Sequence, residues 1–91
     1  MKEATFSHSF NHAGSTINVY HADKGSGIGR HEHNYSHITV CITGSCWVRK
    51  ENKEILMDKN TQPINLLPDG WHEIESAEDG TVFINIFDKI D

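Results

Sequence analysis

The chain has 91 residues, 36% of them apolar, with eight Lys plus Arg against thirteen Asp plus Glu and a formal net charge of −5. That length suits one domain, expected to span 1–91, with a core small enough to call for support from a metal, a partner subunit or both. The scattered acidic balance weighs against nucleic acid as a partner, the opening MKEATFSHSF lacks the apolar stretch of a secretory leader, and the longest apolar run, near Ile38 to Ile42, is far short of a membrane span, so a soluble, cytoplasmic protein is expected.

Apolar residues recur with period two rather than 3.6, which predicts strands and no helix longer than a turn. In chain order the expected strands are a weaker one at Thr5–Phe10, then Ser15–Ala22, Ser36–Thr43, Ser45–Lys50, Glu54–Met57, Trp71–Ser76 and Thr81–Phe87, all rich in β-branched and aromatic residues. Between them, Gly25 to Gly29 reads as a flexible loop. Thr43-Gly44-Ser45 and Glu51-Asn52-Lys53 read as tight hairpin connections, and Pro68-Asp69-Gly70 and Glu78-Asp79-Gly80 as turns. Many short strands at this spacing predict an all-β sandwich or barrel. Cys41 and Cys46 do not form a CxxC pair and read as reduced packing residues.

Seven histidines are many for 91 residues. Four of them form a pattern: His31, His33 and His37 close together, and His72 far downstream. Two histidines one residue apart on a strand share a face, about 6.6 Å apart, close enough to converge on one ion. A turn at Asn34-Tyr35-Ser36 would return His37 to their side, and His72 can join only if its strand lies across the barrel. If His37 faces inward, so do Thr39 and Cys41, while Ile38, Val40 and Ile42 face outward. If His72 faces inward, so do Ile74 and Ser76. Cys41 stands about 13 Å along the strand from His37, too far to bind the same ion. Glu32, Glu73 and Glu75 alternate away from this face and read as solvated. Tyr35 reads as a residue packing its loop, and His8, His12 and His21 as surface histidines.

These spacings resemble the cupin superfamily. Its first motif is Gly, five residues, HxH, three or four residues, Glu, six residues, Gly. Gly25, His31, His33, His37 and Gly44 reproduce every spacing, with His37 standing where the family usually has Glu. Its second motif, PxG, two residues, His, three residues, Asn, is partly matched by Pro68, Gly70 and His72. Here one residue separates PxG from the histidine, Ser76 stands at the Asn position, and Gln62 replaces the upstream Gly. The resemblance implies a jelly-roll β-barrel, a double-stranded β-helix, holding one divalent transition metal ion through His31, His33, His37 and His72. Small single-domain members with four histidine ligands are a recognisable subset.

Imidazole donors suit iron, nickel, zinc and copper, with manganese a further candidate. Four neutral ligands leave the charge of the ion uncompensated, which favours hydroxide or an anionic bidentate ligand. Three functions remain open on sequence alone. One is a metal-dependent enzyme acting on a small anionic or chelating substrate, as an oxygenase, isomerase or lyase. The second is a non-catalytic module binding a small sugar or acid, and the third a purely structural metal site. The outward stripe of Ile38, Val40 and Ile42 predicts a two-fold homodimer unless an N-terminal strand of the same chain covers it.

Overall fold

The computed structural model describes residues 1–32, 36–67 and 70–88. It is built of ten strands: β1 (Lys2–Glu3), β2 (Thr5–His12), β3 (Ser15–Ala22), β4 (Ser26–His31), β5 (His37–Thr43), β6 (Ser45–Lys50), β7 (Lys53–Asp58), β8 (Ile64–Leu66), β9 (His72–Ser76) and β10 (Thr81–Asp88). They form two five-stranded sheets, ordered β1-β4-β9-β6-β7 and β2-β3-β10-β5-β8. No helix among the described residues is long and apolar enough to cross a membrane.

Every predicted strand is present within two residues of its expected ends, and three more appear. One of these, β4, corrects the reading of Gly25 to Gly29 as a flexible loop. Gly27 pairs with Glu75 of β9 so closely that a Cβ there would run into the backbone carbonyl of Ile74. The glycine serves close backbone approach rather than flexibility. On the other side of β4, Ala4 N donates to Gly27 O at 2.8 Å, and β1 adds in parallel.

A second correction concerns Thr43-Gly44-Ser45. The strands it joins, β5 and β6, lie in different sheets, so the segment is a corner between layers and not a hairpin. Gly44 has φ +78° and abuts Thr81 of β10, whose hydroxyl accepts from Ser45 N at 3.3 Å. Turn chemistry predicts where the chain reverses, but the choice of sheet depends on distant partners. The β6–β7 connection is a true hairpin, with Lys50 opposite Lys53 and Asn52 at φ +66°. Pro68 and Asp69 lie outside the described residues.

The core fills the space between the sheets with Phe83, Met57, Leu66, Ile74, Val48, Ile64, Ala22, Cys41 and Cys46. Phe83 stacks on Tyr20 with ring centres 5.2 Å apart. The expected alternation holds: His37, Thr39 and Cys41 are buried on β5, and His72, Ile74 and Ser76 on β9. Both cysteines are buried and free. Burial pushes both thiols up from their ordinary value, which suits inert packing residues.

The outer faces differ. On the β6–β9 sheet, Glu73 and Glu75 do more than face water. With Glu54 they hold the Arg49 guanidinium, at 3.8 Å, 2.6 Å and 2.7 Å respectively. On the other sheet the register sets Ile17 and Val19 of β3, Ile84 and Ile86 of β10, and Ile38 and Val40 of β5 side by side. β2 is the far edge strand of that same sheet and does not cover them.

Candidate functional site

Cross-strand pairing and sheet stacking both contribute to the histidine cluster. His31 ends β4 and is directly opposite His72, which begins β9. Their ring centres are 4.4 Å apart and the rings meet edge to face. His37 begins β5 in the other sheet, and its ring centre lies 5.5 Å from that of His72. The strand of His72 therefore does lie across the barrel from that of His37. Imidazoles that share one ion at metal–nitrogen distances of about 2.0–2.1 Å have ring centres roughly 4.5–5.5 Å apart, so this spacing fits a common ligand. His33, the fourth candidate, lies outside the described residues, as does Tyr35. Among the described residues no group of three His, Cys, Asp or Glu side chains could hold a metal ion as it stands.

The hydrogen bonds set the tautomers. His31 Nδ1 is 2.7 Å from Gly29 O. A carbonyl only accepts, so the proton is on Nδ1 and the lone pair of a neutral ring on Nε2. On β5, Thr39 donates to Asn85 Oδ1 of β10 at 2.7 Å, so its hydroxyl oxygen accepts from His37 Nδ1 at 3.3 Å. The lone pair of His37 is again on Nε2. Metal-binding histidines ordinarily have such a partner on the ring nitrogen that does not bind. His37 and His72 are 4% and 2% exposed, and Nε2 of His72 is itself buried. The donor chemistry of these rings thus fits a divalent transition metal.

The remaining expectations separate cleanly. Cys41 lies at the opposite end of β5, its thiol near the Thr43 and Gly44 carbonyls. His8, His12 and His21 are exposed on β2 and β3, and Glu32 is exposed after β4. Phe87 packs against His37 with ring centres 4.9 Å apart. Asn85, Phe87 and Lys50 were not singled out from the sequence. Lys50 carried a usable signal, because the alternation that turns Cys46 and Val48 inward also turns Lys50 inward, and its partner across β9 is His72.

Beside His72 is a cavity of about 150 Å3 lined by Lys50, Glu51, Leu66, Leu67, Trp71 and His72. It spans both sheets, since Leu66 of β8 is opposite His37 of β5. Pockets for drug-sized ligands run to roughly 300–1,000 Å3, so this one suits a small molecule. Arg30 stacks on Trp71, its guanidinium carbon 3.8 Å from the ring centre.

No protein-family model matches the sequence, and no curated protein matches it. Solved structures do. A cupin domain from Bordetella pertussis superposes with TM-score 0.71 at 15% identity, covering 98% of this chain and 96% of its own. A cupin protein from Bacteroides fragilis gives 0.71 at 22% identity, over 85% and 67%. A conserved protein with a double-stranded β-helix domain from Klebsiella pneumoniae gives 0.75 at 18% identity, over 94% and 72%. Likeness at such identities is likeness of fold, and with the two facing five-stranded sheets it establishes that this chain has the all-β, cupin-type double-stranded β-helix fold.

Proposed function

We propose that the chain is a small metal-binding cupin in which His31, His33, His37 and His72 hold one divalent transition metal ion, and that this centre serves an enzyme acting on a small anionic or chelating substrate. The observation that carries the reading is the cluster itself: His31 opposite His72, His37 facing them from the other sheet, and an Nδ1 hydrogen bond on both His31 and His37. A bound ion would supply Lewis acidity toward an oxygen-donor substrate. The chain's own residues do the rest. Gly29 O and the Thr39–Asn85 pair fix the ring orientations. Leu66 and Phe87 screen the rings from water with apolar surface. The cavity beside His72 limits the substrate to a small molecule.

Metal content by elemental analysis tests this. Wild type and His8→Ala are expected to retain about one ion per chain, and His33→Ala to lose most of it, because loss of one ligand removes a large part of the binding free energy. Lowering the pH from about 7 to about 5 should release the ion from the wild type, since protons compete for imidazole nitrogens. Equal metal content in His33→Ala and His8→Ala overturns the assignment.

The apolar outer face supports a two-fold dimer in which one copy covers the other. Ile38 and Ile42 are 40% and 49% exposed, and Val40 sits between them. Sedimentation at micromolar concentration should give twice the chain mass for the wild type and the chain mass for Val40→Lys, which would bury an unpaired ammonium. A monomeric wild type, or a dimeric Val40→Lys variant, contradicts this.

A further inference from the structure

We propose that Lys50 is the group that selects the ligand of this site, by binding its carboxylate, and that the ligand is a short hydroxy acid with a single negative charge. The inference rests on the proposed site beside His72 and deepens it. Lys50 ends β6 directly opposite His72, on the inward face shared with Val48, and both residues line the same small cavity. Its neighbour Arg49, on the outward face, is held by Glu54, Glu73 and Glu75. Among the described residues Lys50 has no such carboxylate. Its ammonium reaches across to the other sheet and donates to Asn65 O at 3.3 Å. An ammonium carries three donors, so one contact with a carbonyl leaves capacity for a ligand.

A second observation points the same way. Across the β6–β7 hairpin Lys50 is opposite Lys53, and like charges in directly paired positions repel. Lys53 lies outside the cavity, but its charge opposite Lys50 adds to the positive potential at the ammonium, which a bound anion relieves. Glu51 also lines the cavity, with its carboxylate within reach of Gly70. Its charge weighs against a dianion and suits a ligand hydroxyl, which donates to it. One ammonium, one carboxylate acceptor and apolar walls from Leu66, Leu67 and Trp71 together describe a small monocarboxylate bearing a hydroxyl group.

The test is calorimetric titration of wild type, Lys50→Gln and Lys50→Arg, first with Co2+ alone and then with lactate, inorganic phosphate and the neutral analogue propane-1,2-diol. Equal Co2+ binding in all three is expected, because Lys50 is not a metal ligand. Lactate should bind Lys50→Gln about 10-fold or more weaker than wild type, the loss typical of a charge-assisted hydrogen bond. Lys50→Arg should stay closest to wild type, and the diol should not distinguish the variants. Unchanged lactate affinity in Lys50→Gln overturns the proposal. So does failure of the wild type to bind lactate at millimolar concentration, and so does Lys50-dependent binding of phosphate without lactate. If the wild type takes up no Co2+, the metal centre fails on its own account, and the same lactate comparison on metal-free protein still decides the role of Lys50.

Discussion

Replacing Phe83 with alanine is expected to cost about 3–5 kcal/mol of folding free energy, a large part of the roughly 5–15 kcal/mol available to a typical domain. Phe83 is fully buried and has one of the largest such side chains in the core. It sits on β10, the central strand of its sheet, between Tyr20 of β3 and Cys41 of β5. Truncation removes its apolar burial and its stacking on Tyr20, and leaves a void that Tyr20 cannot fill without leaving Phe6, its edge-to-face neighbour at 5.5 Å. A chain of this length buries a smaller fraction of its surface than a larger domain, so little else offsets the loss. Urea unfolding followed by tryptophan fluorescence measures it. A cost below about 1 kcal/mol would mean that the core does not centre on Phe83.

The second large effect is expected at Gly27. A methyl group there meets the Ile74 carbonyl and the Cα of Glu75, both backbone. A neighbouring side chain could rotate away, but a paired strand can only separate. Gly27→Ala should therefore cost about 1–3 kcal/mol, the range for overpacking, by forcing β4 off β9. Because β4 also carries His31 to its place opposite His72, the same substitution should weaken metal binding although Gly27 is no ligand. Gly29→Ala is the control: a Cβ there meets nothing within 4 Å. Equal stability of the two variants would contradict the close approach of β4 and β9.

These two positions also show what the sequence makes legible. Phe83 belongs to Thr81–Phe87, a run rich in β-branched and aromatic residues, and runs of the same kind mark Ser15–Ala22 and Ser45–Lys50 to the residue. β4 is no such run. Two glycines and a serine stand where apolar side chains would mark a strand, and a register shift between Ile28 and His31 breaks the period. Ile64–Leu66 is too short to show a period at all. The corner at Gly44 was legible as a reversal but not as a change of sheet, since the pairing of β5 with β10 and of β6 with β9 is non-local.

The site divides in the same way. Strand alternation grouped Thr39 and Cys41 with His37, and Ile74 and Ser76 with His72, and the burial of all six bears that grouping out. The partnership of Thr39 with Asn85, 46 positions away, had no local signal. Alternation along β6 turns Lys50 inward with Cys46 and Val48, but its place beside His72 depends on the register of β6 against β9. Facing pairs across a sheet, unlike alternation along one strand, depend on how the strands are ordered.

Whether imidazoles from both sheets bind one ion is decided by X-ray absorption at the metal edge of the Co2+-loaded protein. A first shell dominated by imidazole nitrogen, at about 2.0–2.2 Å, is expected, lost in His72→Ala and kept in His8→Ala. A shell of oxygen alone, or of sulfur at about 2.3 Å, or an imidazole signal unchanged in His72→Ala, would contradict such a shared ion.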